Sequence, residues 1–196
     1  MIEWHPLHPF LPENARVLFL GSFPPQRKRW CMDFYYPNFT NDHWRIEGLV
    51  FFGDPAHFVD PVARRFRKAV IVDFCREKGI AFYDTATAIR RLNDNASDKF
   101  LEVVEPTDIA ALLRQLPHLQ VIATTGEKAT TTICTTLAIA EIPKTGTSVH
   151  IPATYNKDGE QIVLHRLPSS SRAYPMSLEK KAEAYRHMFL QAGMNT

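Results

Sequence analysis

Short apolar runs recur along the chain and predict buried strands. The clearest are RVLFLG (16–21), IAFYDT (80–85) and LQVIATTG (119–126), and two more are predicted in TSVHIPA (147–153) and QIVLHRLP (161–168). A run of this length without alternating polar positions is typical of strands that are covered on both faces.

Between these runs, apolar positions recur at helical spacing. Helices are predicted over residues 60–79, 107–116, 127–137 and 177–193. The first has Asp60 as its cap and Pro61 in its first turn, with Gly79 as its stop. Its apolar positions are Val62, Phe66, Val70 and Phe74.

Strands separated by helical crossovers indicate a mostly parallel sheet with helices on both faces. We therefore predict an α/β fold, a three-layer α/β/α sandwich. The chain has 196 residues, of which 45% are hydrophobic, and this suits one compact domain over residues 1–196.

The charge balance limits how the protein could bind an acidic partner. The formal net charge is +2 and the isoelectric point is about 8.4, so a nucleic-acid surface must be a local patch. Two basic clusters are present, QRKRW (26–30) and RRFRK (64–68). The second is also typical of a solvated helix face.

The sequence argues against several classes of protein. No segment approaches the ~20 apolar residues of a membrane span, and no secretory pattern precedes the first strand, so a cytoplasmic protein without a membrane partner is expected, nucleoid-associated in a bacterium. Cys31, Cys75 and Cys134 are far apart, and the histidines lack ligand spacing. HPLHPF (5–10) predicts an extended, proline-fixed arm. No metal and no cofactor are expected.

In open α/β sheets, ligands bind beyond the carboxyl ends of the strands. The loops to inspect are GSFPPQRKRW (21–30), DTATAIRRLND (84–94), TGEKA (125–129) and LPSSSRAYP (167–175). Each is also typical of an ordinary turn, because Gly, Pro and Ser simply make turns. Their order along the chain carries more information than any one of them.

Five motifs in order, GSFPP, FYYPNFTNDHW, GIAFYDT, VIATTGEKA and LPSSSRA, resemble the uracil-DNA glycosylase superfamily over roughly residues 16–190. GSFPP resembles its Gly-x-x-Pro-Gly loop, and YPNFTNDHW resembles the Asn-x-Phe-Trp motif of its mismatch-specific branch. The closest likeness is to the hypoxanthine- or deoxyinosine-type branch. The resemblance implies a monomeric DNA glycosylase of base excision repair that acts on DNA carrying a deaminated base, uracil or hypoxanthine.

This chemistry requires that a base be flipped into a pocket and that its N-glycosidic bond be hydrolysed by a placed water. The resemblance implies that Asn41 holds the water or contacts the base, that Tyr36 stacks on the base, and that Asn38 is the rival carboxamide. Alternatively, Asn41 caps the helix starting near Asp42, and Tyr35 or Tyr36 belongs to the core. The expected floor of the base pocket is Gly21, Ser22, Phe23 and Pro24, with backbone donors at Ser22 and Phe23.

DNA contacts are expected from cations and serines around this pocket. The expected residues are Arg27, Lys28, Arg29, Lys128, Ser169, Ser170, Ser171 and Arg172. Arg172 and Tyr174 are candidates to enter the gap left by the flipped nucleotide. The alternative for this last loop is a serine-rich turn before the final helix.

Three positions depart from the superfamily's pattern. Phe23 stands where the first loop elsewhere offers Asp or Asn, Leu167 replaces the last loop's histidine, and Thr125 stands where the hypoxanthine-type branch tends to have asparagine. Slow turnover or an altered base preference is expected. A catalytically weak damaged-DNA binder and a nucleotide-binding module are the alternatives, although the glycine-rich motifs of common nucleotide binders are missing.

Overall fold

The computed structural model describes residues 1–92, 100–156 and 161–196. The strands in these ranges are β1 (Ile2–Trp4), β2 (Val17–Gly21), β3 (Val59–Asp60), β4 (Arg65–Phe66), β5 (Ile80–Asp84), β6 (Ala86–Arg91), β7 (Leu101–Pro106), β8 (Val121–Thr125), β9 (Ser148–His150) and β10 (Val163–Leu167). The α-helices are α1 (His43–Phe52), α2 (Lys68–Lys78), α3 (Ile109–Arg114), α4 (Glu127–Thr136) and α5 (Leu178–Gln191).

A five-stranded sheet forms the centre of the fold, in the order β5-β2-β8-β10-β9. The first four strands are parallel, and β9 joins β10 antiparallel at the edge. All residues of β5 and β8 are buried, as their unbroken apolar runs predict. The mostly parallel α/β fold predicted from the sequence is confirmed. Because β2, β5, β8 and β10 run in parallel, their carboxyl ends meet at one edge.

The segment after Asp60 is a hairpin rather than the predicted start of a helix. Strands β3 and β4 pair antiparallel, and the Asp60 carboxylate accepts a hydrogen bond from the Ala63 N–H at 3.0 Å within the turn. Arg64 has φ of 49°, which no right-handed helix accommodates. The helix α2 therefore begins only at Lys68.

The apolar spacing that predicted this longer helix marks the buried positions only in part. Phe66 and Phe74 are buried as predicted, whereas Val62 is 93% exposed and Val70 is 42% exposed. Gly79 ends the helix as predicted, with φ of 72°, and a Cβ there would come within 2.5 Å of a backbone oxygen.

The second basic cluster is therefore not a helix face, and this alternative is wrong. Its residues belong to β4, to the turn before it and to the start of α2. Arg65, Arg67 and Lys68 line a separate cavity of about 440 Å³. Cys31 and Met32, which directly follow the first basic cluster, line the same cavity, whereas residues 26–30 do not.

A second sheet of three antiparallel strands, in the order β1-β6-β7, replaces most of the loop predicted over residues 84–94. Residues 93 and 94 of that loop lie outside the described residues. Between β1 and β2 the HPLHPF arm runs beside β5, where Phe10 and Phe82 exchange backbone hydrogen bonds of 3.0 and 2.9 Å. The arm thereby brings His5 to the carboxyl end of β5.

Candidate functional site

A cleft of about 1130 Å³ opens at the carboxyl ends of the parallel strands, where the sequence predicts a ligand site. Every predicted site residue except Arg27 and Lys28 lines it: Gly21, Ser22, Phe23, Pro24, Arg29, Tyr36, Asn38, Asn41, Lys128, Ser169, Ser170, Ser171 and Arg172. Asp84, Thr125, Leu167 and Tyr174 also line the cleft. The loops that are distant in sequence therefore converge on one space.

The first loop is held by contacts from other elements. Arg91 donates to the Pro24 carbonyl at 3.2 Å, and the Trp30 indole donates to the Pro25 carbonyl at 2.7 Å. Phe23 packs edge-on against the ring of His5, with centroids 5.2 Å apart. A Cβ at Gly21 would collide with the carboxylate of Asp84, so any other residue there would have to displace that side chain.

Tyr36 forms one wall of the cleft in an uncommon backbone conformation, with φ of 50°. Its hydroxyl shares a hydrogen bond of 2.8 Å with the Thr125 hydroxyl. One face of its ring stacks on the buried His43 ring. Its neighbour Tyr35 is buried and donates to the His8 carbonyl at 2.9 Å. Tyr35 is thus a core residue that also lines the cleft, and Tyr36 packs against the core from the cleft side.

Asn41 lies just before α1 and lines the cleft. The N-cap residue of α1 is Asp42, whose side chain makes no capping bond, but Asn41 Oδ1 accepts a hydrogen bond from the N–H of His43, the first helical residue, at 2.9 Å and so stabilises the helix start. A backbone N–H can only donate, which fixes the oxygen toward the helix. The Nδ2 group finds no acceptor in the ranges that the structure describes. The Nδ2 group of Asn41 can therefore donate a hydrogen bond to a ligand in the cleft.

Asn38, the rival carboxamide, stabilises its own turn. Its Oδ1 accepts from the backbone N–H of Thr40 at 3.0 Å and from the Thr40 hydroxyl at 2.9 Å. Its carbonyl accepts from the Asn41 N–H at 2.8 Å. Asn38 thus shapes the turn that presents Asn41.

The last loop is fastened to the loop before α1. The Ser170 carbonyl accepts from the Asp42 N–H at 2.9 Å, and Arg172 donates to the Asp42 carboxylate at 2.9 and 3.2 Å. Lys181, whose side chain is only 1% exposed, donates to the Ser171 carbonyl at 2.8 Å. Burial lowers the pKa of Lys181, and the nearby Asp42 carboxylate opposes this shift. Neither Asp42 nor Lys181 was predicted as a site residue from the sequence.

The serines of this loop also stabilise its turn. The Ser169 hydroxyl accepts from the Ser171 N–H at 3.2 Å, and the Ser171 hydroxyl accepts from the Ala173 N–H at 3.3 Å. These contacts are typical of a serine-rich turn, the alternative interpretation of this loop from the sequence. They coexist with the exposure of the loop to the cleft.

The basic residues of the first loop lie on a short 3-10 helix, Arg27–Arg29. Arg27 pairs with the Asp33 carboxylate at 2.6 Å and lies over the Trp30 ring, 4.3 Å from its centroid. Arg29 reaches the cleft from this side, and Lys128 in the first turn of α4 reaches it from another. Cationic side chains therefore stand on two sides of the cleft.

Sequence reasoning missed a buried pair at the base of the first loop. His5 Nε2 lies 2.8 Å from Asp84 Oδ2, and the two side chains are 2% and 10% exposed. Burial raises the pKa of Asp84, while hydrogen bonding and the charge of His5 oppose this shift. Asp84 ends a buried strand at the ligand edge, and this was the available signal.

In the part of the chain that the structure describes, no group of three or more His, Cys, Asp or Glu side chains could hold a metal ion. No helix in those ranges combines the length and apolar character needed to cross a membrane.

The fold defined by this sheet and cleft is shared with a solved protein. A solution NMR structure from Methanosarcina acetivorans, described as a "putative Uracil DNA glycosylase", superimposes with a TM-score of 0.61 and 24% sequence identity, covering 96% of this chain and 99% of that chain. At this identity the likeness shows the fold alone. A scan against protein families and a search of curated proteins find no match.

Proposed function

We propose that the chain is a monomeric, single-domain DNA glycosylase of the uracil-DNA glycosylase superfamily, of the hypoxanthine- or deoxyinosine-type or mismatch-specific branch. It hydrolyses the N-glycosidic bond of a deaminated base, uracil or hypoxanthine, in base excision repair. The observation that carries this proposal is the cleft itself, where an aromatic wall, a donor carboxamide and cationic edges meet at the ends of the parallel strands. The name of the structural neighbour supports the same class.

Tyr36 provides the stacking surface for the flipped base. Stacking of a base on an aromatic ring is worth about 1–3 kcal/mol. Because the ring is supported behind by His43 and tied by its hydroxyl to Thr125, it is already in position before the base arrives. Such preorganisation reduces the entropy lost on binding.

Asn41 contacts the base rather than activating the water. Its oxygen already accepts from the helix, which leaves its Nδ2 group as a donor to a carbonyl oxygen of the base. Uracil and hypoxanthine both carry such an oxygen where the parent bases carry an amino group. As the glycosidic bond breaks, negative charge grows on the base, and a donor to its oxygen stabilises that charge.

The cations and serines around the cleft contact the DNA backbone. Positive charge for the phosphates comes from Arg27, Lys28, Arg29 and Lys128. Short polar contacts come from Ser169, Ser170 and Ser171, and Arg172 lies beside the DNA strand. The ion pair of Arg172 with Asp42 must open if this residue enters the duplex. We also expect the three-layer arrangement of helices around the sheet that this class of fold has.

A second candidate function is binding of damaged DNA with little turnover. Phe23 lines the cleft where a polar side chain would orient water, and Leu167 replaces a donor to the departing base. Both positions are apolar. These two residues favour a slow enzyme or a binder over a fast enzyme.

End-labelled oligonucleotides carrying one uracil or one hypoxanthine test the proposal. After incubation, alkali cleaves any abasic site, so excision yields a shorter strand. We expect this product from the wild-type protein, in the presence of a chelator as well, and none from strands with cytosine or adenine. Tight binding without a shorter strand would support the second candidate, and neither binding nor cleavage would overturn both.

A further inference from the structure

Two loops that line the cleft are joined along their backbones. Asn41, in the loop before α1, and Ser171, in the last loop, form an isolated antiparallel bridge. Beside this bridge the Asp42 N–H donates to the Ser170 carbonyl at 2.9 Å. The place of Asn41 in the cleft therefore depends on the place of the last loop.

One side chain of α5 contacts both loops beside this bridge. Lys181 lies one turn into α5, which packs against α1. Its Nζ donates to the Ser171 carbonyl at 2.8 Å and lies 3.7 Å from Asp42 Oδ2. Ser171 is the bridge partner of Asn41, and Asp42 is the residue after Asn41. The ammonium group thus meets each loop within one residue of Asn41.

The burial of Lys181 is costly and calls for a reason. Its side chain is 1% exposed, and a lysine is almost never buried so completely unless it is paired. Replacing a buried ion pair by well-packed apolar side chains is often neutral or stabilising. Stability alone therefore does not explain a lysine here, whereas a need to fix the geometry of the two loops does.

Asp42 divides its carboxylate oxygens between two cations. Arg172 donates to Oδ1 at 2.9 and 3.2 Å, and Lys181 faces Oδ2. Arg45 lies 4.0 Å from Oδ1, beyond hydrogen-bond distance. The Arg172 side chain is 55% exposed, and an ion pair with such an exposed partner is weak and opens easily. When Arg172 leaves Asp42 for the DNA, Lys181 still holds the other oxygen.

Resting on the proposed glycosylase function, we propose that Lys181 is a positioning residue for excision. It fixes the Ser171 carbonyl and the Asp42 carboxylate, and through the bridge it keeps the Nδ2 donor of Asn41 aimed at the base. It does so also after Arg172 has moved to the DNA. Lys181 does not line the cleft and does not touch the base. A displacement of about 1 Å at a reacting centre can cost about a hundredfold in rate, so such a residue matters to catalysis.

Lys181→Met tests this role, because it keeps an unbranched apolar stem and removes the ammonium group. We expect the single-turnover rate of excision from a strand with uracil or hypoxanthine to fall by about tenfold or more. Binding to the same strand with a non-hydrolysable 2′-fluoro nucleotide should stay within a fewfold of the wild type. Lys180→Met, which removes the same charge from the exposed neighbouring position, is the matched control and should keep both the rate and the affinity.

A double-mutant cycle with Asn41→Ala separates positioning from a merely structural role. If Lys181 acts through Asn41, Lys181→Met should slow the wild-type protein but hardly slow Asn41→Ala any further. A lysine that only stabilises the fold would slow both by the same factor. Urea unfolding of each preparation verifies that the variants are folded under the assay conditions.

If Lys181→Met does not fold, Lys181→Gln takes its place in the same cycle. The glutamine keeps an N–H donor but loses the charge and one atom of length, so it should also slow excision only when Asn41 is present. The same control and the same comparison apply to it.

The results distinguish this inference from the proposed function. A wild-type protein that excises, together with a position-181 variant that excises at the same rate or slows both backgrounds equally, overturns the inference alone. A wild-type protein that excises neither base overturns the proposed enzyme, and the inference with it.

Discussion

The ring of Tyr36 lies flat on the ring of His43, with centroids 3.7 Å apart and planes 9° from parallel. His43 is fully buried, and burial lowers its pKa well below the usual range, so the ring behind Tyr36 is uncharged at neutral pH. The hydroxyl bond to Thr125 fixes the tyrosine from its far end. The aromatic wall of the cleft is thus rigid and neutral.

Replacing Tyr36 by Leu should weaken binding to DNA with a deaminated base by about tenfold or more, because one stacking interaction is lost. Tyr36→Phe is the matched control, since it keeps the ring on His43 and removes the hydroxyl that bonds Thr125, and it should bind within a fewfold of the wild type. Fluorescence anisotropy with a labelled strand measures both. Equal binding by the Leu variant would show that the base stacks elsewhere.

Asn41→Ala should reduce the single-turnover excision rate by about a hundredfold or more, on the scale of losing one transition-state donor. It should also lower stability by about 1 kcal/mol, because the carboxamide oxygen caps the His43 N–H. Excision and urea unfolding are measured on the same preparation.

Asp108→Ala is the matched control for the cap. Asp108 accepts from the Ala111 N–H at 2.9 Å at the start of α3 and does not line the cleft. It should lose similar stability and keep full activity. An Asn41→Ala protein that is destabilised but fully active would move the catalytic role to Asn38 or to a donor outside this loop.

Replacing Arg27, Lys28 and Arg29 together by Ala should weaken binding to all strands about equally. The slope of log affinity against log salt should flatten by about 2 to 3, because each phosphate contact contributes about 0.9. The matched control is the triple Ala variant of Arg65, Arg67 and Lys68, which removes the same charge from residues that line the second cavity and not the cleft. If the control flattens the slope instead, the DNA lies across the hairpin and α2.

Glu47→Gln should stabilise the protein relative to the wild type, increasingly as pH rises from about 4.3 until the folded wild-type carboxyl ionises. Glu47 is fully buried, and burial raises the pKa of its carboxyl well above the usual value. The folded state therefore keeps a proton that the unfolded state has released above about pH 4.3, and wild-type stability falls by as much as about 1.4 kcal/mol per pH unit until the folded group ionises.

Urea unfolding at pH 7, 8 and 9 measures this difference. His43, whose Nε2 lies 3.6 Å from Glu47, is kept neutral in the folded state by burial, and its titration in the unfolded state is common to both proteins and cancels in their difference. Glu77→Gln, an exposed carboxylate on α2, is the control and should track the wild type. Parallel stability curves for Glu47→Gln and the wild type would contradict the prediction.

The sequence predicts the parallel sheet well because each central strand is a continuous apolar run bounded by a turn. The sequence-based prediction fails for the β3–β4 hairpin. Val62 and Phe66 are four positions apart, as on one face of a helix, but Val62 is exposed and Phe66 is buried. It also misses the second sheet, whose strand β1 pairs with a segment 88 residues away, as in the register of Ile2 and Arg90. Local patterns contain no signal for such distant pairing.

The same limit applies to the site. The loops are identifiable because they follow predicted strands, and most of their residues reach the cleft. His5 and Asp84 are separated by 79 positions. The proline-fixed arm that carries His5 has no hydrophobic periodicity from which its position could be predicted. Lys181 lies on an amphipathic helix, where a lysine is expected to be exposed to solvent. Its side chain is instead buried, and its ammonium group donates a hydrogen bond to the Ser171 carbonyl.

The contact between Gly21 and Asp84 links the future variation of two positions. Any side chain at position 21 would need space that the Asp84 carboxylate occupies, so enlarging residue 21 requires residue 84 to move or to become smaller. A shorter residue 84 would in turn leave the imidazole of His5 without its partner. Substitutions at these three positions, on three separate segments, should therefore have effects that depend on one another.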